Sequence, residues 1–103
     1  MNERQPNQQQ SNQQQIKVKV PDEILKGAYA NAMQVLHTKE EFVLDFMNLF
    51  PPSGIVSARI VLSPGHLKRI ISALQENLKR YESAYGSVKE AEAPEHKIGF
   101  SAE

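Results

Sequence analysis

The sequence predicts an α+β fold: a four-stranded antiparallel meander with one long C-terminal helix packed on one face. Three observations lead there. Short alternating apolar stretches recur before residue 62, bounded by Gly, Pro or charged residues. After residue 66 the apolar spacing becomes helical. Between the two regimes stands Ser63-Pro64, a helix-start signal.

The chain divides into three parts. Residues 1–15 hold seven Gln and three Asn, with no large apolar side chain after Met1. Such a stretch cannot bury enough apolar surface to offset its ordering entropy, and is expected to be a disordered tail. Residues 16–86 form the folded domain, and residues 87–103 a flexible acidic tail. The domain carries nine Lys/Arg against seven Asp/Glu, and the C-terminal tail two against four. Neither balance suggests strong phosphate binding. A domain this small buries only about 60% of its unfolded surface and is marginal alone. With no cysteine in the chain, no disulfide or thiolate metal site reinforces it. A partner or self-association is therefore expected. No apolar run is long enough to span a membrane, and no apolar segment follows Met1 to make a signal peptide. These features point to the cytoplasm.

Ile16-Lys17-Val18-Lys19-Val20 alternates strictly and reads as the first strand, its lysines protecting an edge. Pro21-Asp22 breaks it, Asp22 to Lys26 fit one helical turn, and Gly27 punctuates the restart. Ala28 to His37 reads as the second strand. A helix from Pro21 toward Gln34 is the rival, since three alanines favour helix. Thr38-Lys39 then turns the chain, in two residues or in a four-residue loop, setting Val35 opposite Phe42 and Met33 opposite Leu44.

Glu41-Phe42-Val43-Leu44-Asp45-Phe46-Met47 is the central strand. Phe42, Leu44 and Phe46 share one face; Val43, Asp45 and Met47 share the other. Pro51-Pro52-Ser53-Gly54 is a turn, with Gly54 suited to a left-handed bulge position. The fourth strand runs from Ile55 to Leu62, with Val56, Ala58, Ile60 and Leu62 on one face. Matching apolar patterns pairs Phe42 with Leu62, Leu44 with Ile60 and Phe46 with Ala58. The same register sets Asp45 across from Arg59.

Ser63 is a good N-cap and Pro64 fits the first helical position. Leu67, Ile70, Ile71, Leu74, Leu78, Tyr81 and Tyr85 then form one helical stripe, and Gly86 ends the helix. At about 33 Å the helix matches ten strand residues in length. It is expected to lie along the Phe42/Leu44/Phe46 face. In the tail, Ile98-Gly99-Phe100 is a short apolar island, either a docking motif or a few apolar residues without a role.

The residues offer little chemistry. His37, His66 and His96 have no ligand spacing. The glycines are spread singly, without a phosphate loop, so no cofactor is expected. Ser63 lies three residues before His66, but capping already explains it and no orienting acid is near. No catalytic residue is assigned. Lys68, Arg69, Lys79 and Arg80 give the helix a basic side that could touch nucleic-acid backbone. Glu76 and Glu82 temper it, and such residues ordinarily make a solvated face.

The second sheet face is more informative. It gathers Ala28, Ala30, Ala32, Gln34, Val43, Asp45, Met47, Leu49, Ile55 and Arg59. One helix covers one face of a sheet, so this aliphatic face is expected to be an interface. The alternative is a half-exposed face with an ordinary surface ion pair.

Gly27-Ala28-Tyr29-Ala30-Asn31, Glu41 to Phe46, Ala58 to Pro64, His66-Leu67-Lys68-Arg69 and Leu74 to Leu78 with Tyr81-Glu82 and Gly86 resemble an uncharacterised family. Its members are bacterial and archaeal proteins of about 100 residues that carry a domain of unknown function; Bacteroidetes members look most similar. The likeness runs from Ile16 to Gly86, leaving the Gln-rich start and acidic end outside. It brings no reaction or cofactor. Members encoded beside RNA polymerase large-subunit genes imply a transcription accessory role. The strand order followed by a long helix is also similar to SecB-like export chaperones, a likeness of architecture. Together these readings point to a non-catalytic interaction module, self-associating or docking into a larger assembly. A SecB-like holdase and a nucleic-acid binder are the alternatives.

Overall fold

The computed structural model describes residues 14–92 and Gly99. The Gln-rich residues 1–13, His96, and Ile98 and Phe100 of the apolar island lie outside the described residues. The elements run α1 (Asp22–Leu25), β1 (Ala32–His37), β2 (Phe42–Phe50), β3 (Ser53–Leu62) and α2 (Pro64–Tyr85). The strands make an antiparallel sheet in the order β1-β2-β3. The fold is α+β, with three strands among the described residues where four were expected.

The missing strand is Ile16–Val20. Its residues are exposed and form no ladder. An alternating stretch becomes a strand only beside an edge that supplies hydrogen-bond partners. Ala28 to Asn31 are likewise outside β1, which starts at Ala32. Gly27, with φ 77°, turns the chain after α1 in a conformation that favours glycine.

The β2–β3 register follows the apolar pattern: Phe42 faces Leu62, Leu44 faces Ile60, Asp45 faces Arg59 and Phe46 faces Ala58. Beyond Ala58 the register shifts, and Met47 faces Val56. Ser57 is thus an extra residue, a bulge within β3. The turn itself is even: Pro51 and Pro52, joined by a cis peptide bond, connect Phe50 to its partner Ser53. The bulge is therefore not at Gly54. That glycine sits in β3 opposite Leu49, where an added Cβ would collide with the leucine side chain.

The β1–β2 register is displaced by two residues from the expected one: His37 faces Phe42, Val35 faces Leu44 and Met33 faces Phe46. The loop holds four residues, 38–41. Thr38 builds it, its Oγ1 accepting from the backbone N–H of Glu40 and Glu41 at 3.2 Å each. Because side chains alternate with period two, a shift of two leaves every face unchanged.

Helix α2 starts as its sequence dictates. Ser63 Oγ accepts from the His66 N–H at 3.1 Å, and Pro64 takes the first helical position. Gly86, with φ 99°, closes it, donating its N–H to the Glu82 carbonyl at 2.8 Å.

The expected seat of α2 is not occupied. Leu67 and Ile70 are half-buried, but Ile71, Leu74, Leu78, Tyr81 and Tyr85 are 46–77% exposed. The physical reason is the connection. Only Ser63, itself extended at φ −77° and ψ 155°, separates Leu62 from Pro64. A helix that lies back along its own strand needs a reversal, for which connections of about 2–6 residues are usual.

Candidate interaction surface

The two faces of the sheet have different fates. On the side of Val43, Asp45 and Met47, two side chains are almost fully buried: Asp45 at 1% exposure and Met47 at 2%. Their cover comes from the residues before β1. Asn31 donates its backbone N–H to the Met47 carbonyl at 2.9 Å. Its side-chain amide donates to the Leu49 carbonyl at 2.9 Å and accepts from the Leu49 N–H at 2.8 Å. That amide imitates a peptide unit and adds a rung to the ladder. Two residues earlier, the Tyr29 carbonyl accepts from Ser57 Oγ on β3 at 3.0 Å. Since β2 continues to Phe50, a chain reaching Ser57 from β1 passes over one face of β2. The burial of Asp45 and Met47 identifies which.

Asp45 is held by Arg59. Nε donates to Oδ1 at 2.7 Å and Nη2 to Oδ2 at 2.8 Å, a paired geometry that suits guanidinium and carboxylate. These hydrogen bonds hold the Asp45 carboxyl below the usual carboxylate range, against the opposing effect of burial. The Arg59 pKa rises for the same reason. The arginine side chain itself stays largely exposed and caps the acid from the solvent side.

The ten residues expected at an interface separate accordingly. Ala32, Gln34, Val43, Asp45, Met47, Leu49 and Arg59 do share this face. Ala28 and Ala30 are not strand residues on it; they belong to the segment before β1. Ile55 is on the opposite face, since it pairs with Asn48 after the bulge, and Val56 takes its place beside Met47. Asp45 and Met47 are already buried within one chain, so they do not mark a free surface.

The other face is the open one. It carries Phe42, Leu44 and Phe46 from β2, Met33 and Val35 from β1, and Ile55, Ala58, Ile60 and Leu62 from β3. Leu44, at its centre, is 8% exposed, yet Met33, Val35, Ile55 and Ile60 around it are 43–62% exposed. Leu44 and Met47 are the buried apolar core among the described residues. A full burial of one such side chain contributes about 1.5–3 kcal/mol. Hence both the open face and the α2 stripe leave much apolar stabilisation unused. The signal for this openness was in the sequence, in the single residue between Leu62 and Pro64. The Asn31 clamp and the Ser57 bulge had no such signal, because polar side chains that bond backbone do not enter an apolar pattern.

The basic side of α2 is partly committed. Arg80 Nη2 donates to Glu76 Oε2 at 2.7 Å, and Arg69 Nη2 lies 3.2 Å from His66 Nδ1. Lys68 and Lys79 complete this exposed side. His37 lies beside Phe42 in a tilted arrangement, with ring centroids 5.2 Å apart. Among the described residues no three His, Cys, Asp or Glu side chains gather as a metal group. No helix of the described residues is long and apolar enough to cross a membrane.

The family model for "Protein of unknown function (DUF3467)" matches residues 1–90, and the chain belongs to that family. The match begins at residue 1, so it takes in the Gln-rich start that the resemblance had left outside. No curated protein matches the chain, and no solved structure does.

Proposed function

We propose that this protein is a non-catalytic interaction module that works by associating with itself or by docking into a larger assembly. One observation carries the reading. The chain presents an open apolar sheet face and an open apolar helix stripe, while among the described residues only Leu44 and Met47 form a buried apolar core. Contiguous apolar surface of this extent is a feature of interfaces. The surface proposed is the Phe42/Leu44/Phe46 face with α2, and not the Asp45 face. The resemblance to proteins encoded beside RNA polymerase genes makes the transcription machinery the first larger assembly to examine. Light scattering on the purified full chain, and affinity purification from its native cell with mass spectrometry, test the reading. A dimer, or a stoichiometric partner, is the expected result; a monomer without a partner overturns it.

A SecB-like holdase is the second reading. It is favoured by the aliphatic character of the open face, which an extended apolar peptide would fit. Its test is suppression of aggregation of an unfolded client, and failure there removes it. The nucleic-acid reading has less support, since Glu76 engages Arg80. Neutralising Lys68, Arg69, Lys79 and Arg80 together is expected to abolish any such binding.

A further inference from the structure

Three features make the open surfaces complementary to each other. The first is length: α2 has 22 residues, about 33 Å, and β3 has ten residues, about 33 Å. The second is chemistry. The stripe from Ile71 to Tyr85 is aliphatic and aromatic, as is the face around Leu44, while the charged residues of α2 lie on its other side. The third is connection. Ser63 alone joins β3 to α2, so the helix that fits the face so well is held off the face of its own chain.

We infer that two copies of this chain exchange their C-terminal helices, the apolar stripe of each α2 seating on the Phe42/Leu44/Phe46 face of the other copy. The inference rests on the self-associating form of the function proposed above and names its occupant. Two-fold symmetry follows, because each copy supplies one helix and receives one. The area is sufficient. About ten half-exposed apolar side chains meet at each helix-to-sheet contact, roughly 1,000 Å² in all, and two contacts give about 2,000 Å². Stable interfaces bury about 1,200–2,000 Å². The exchange also gives Met33, Val35, Ile55 and Ile60 around Leu44 the second layer that a sheet needs to form a core.

The test uses the full chain and the absence of native cysteine. One variant carries Ile60→Cys in the sheet and another carries Leu74→Cys in the helix. Co-expressed and mildly oxidised, the two are expected to give a cross-linked pair of unlike chains. A chain carrying both substitutions is expected to link between copies and not within itself. In parallel, Val35→Glu with Ile60→Glu breaks the sheet face, and Leu74→Glu with Leu78→Glu breaks the stripe. Each variant alone is expected to dimerise at least 100-fold more weakly. The mixture is expected to regain dimer, because one intact helix then meets one intact sheet. Circular dichroism reports whether each variant is folded, and the cross-link does not depend on the charged variants. A dimer linked only between like chains overturns the exchange and leaves self-association standing. A monomer with a stoichiometric partner overturns the exchange and leaves the interaction module standing. A link within one chain, or a monomer without a partner, overturns the exchange as well, and the last result removes the module with it.

Discussion

The two faces of the sheet share the same three strands and differ in what the chain itself does with them. Over Asp45 and Met47 the segment before β1 crosses β2, tied down by Asn31 and by the Ser57–Tyr29 hydrogen bond. Around Leu44, itself buried, the aliphatic neighbours Met33, Val35, Ile55 and Ile60 stay half-exposed. The more polar face is thus closed locally, and the more apolar face is left open. Local closure needs only hydrogen bonds from a few small side chains. Closure of the apolar face needs an amphipathic element of about the length of the sheet, and the chain has one in α2, attached too tightly to fold back. An ion pair in a strand therefore marks the closed face here, whereas an uninterrupted apolar face marks the open one.

Truncating one side chain on each face separates them most widely. Met47→Ala removes a buried side chain and is expected to cost about 2–5 kcal/mol in denaturant unfolding, independent of protein concentration. Ile60→Ala removes a half-exposed one. Its unfolding midpoint is expected to fall further below that of the unaltered chain as concentration rises, because its contacts are completed by a second copy. Equal, concentration-independent losses would mean that both faces are closed within one chain.

The ion pair gives the next effect. Arg59→Ala leaves the buried Asp45 carboxylate without its donors, and is expected to destabilise the fold more than Asp45→Asn, which leaves Arg59 free to reach water. Acid sharpens this. Asp45 binds its proton more readily in the unfolded chain, where its pKa is ordinary, about 3.9, than in the folded one. Its contribution is therefore complete above about pH 5, and is lost as pH falls from there through the lower folded value. Urea midpoints measured from pH 7 downward are expected to fall more steeply below about pH 5 for the unaltered chain than for Asp45→Asn. Parallel curves would show that Arg59 does not hold the acid in solution.

Much of this was legible in the residues. The facing pairs Phe42–Leu62, Leu44–Ile60 and Asp45–Arg59 follow from matching apolar patterns, because one buried face allows only one parity of register. The β1–β2 pairing could slip by two residues without moving a side chain to the wrong face, so the pattern fixed its faces and not its register. Helix α2 was legible from cap to cap. Ile55 was misplaced because Ser57 adds a residue, and the bulge is supported by a hydroxyl-to-carbonyl bond that no alternation encodes. Ile16–Val20 has the pattern of a strand, but pattern alone does not supply the edge it must join. The seat of α2 was misread for a different reason. Amphipathic spacing says that a helix has a partner, and says nothing about whether that partner is in the same chain.

The smallest effects come from the polar devices at the two ends of this contrast. Asn31→Ala deletes two hydrogen bonds to the Leu49 backbone, each worth about 0.5–1.5 kcal/mol. It loosens the crossing segment, so amide exchange at Leu49 is expected to rise while the β2–β3 ladder near Leu62 keeps its protection. Ser63→Ala deletes the cap of α2 and costs about 1 kcal/mol. Its readout differs between a helix held on a second copy and one left in solvent. A seated helix loses the cap energy as a modest weakening of dimerisation, with its helical signal intact at high concentration. A free helix frays from its first turn at every concentration, because neither packing nor cap then holds the N–H group of His66. Circular dichroism of Ser63→Ala across a dilution series distinguishes the two, and concentration-independent fraying would place α2 in solvent.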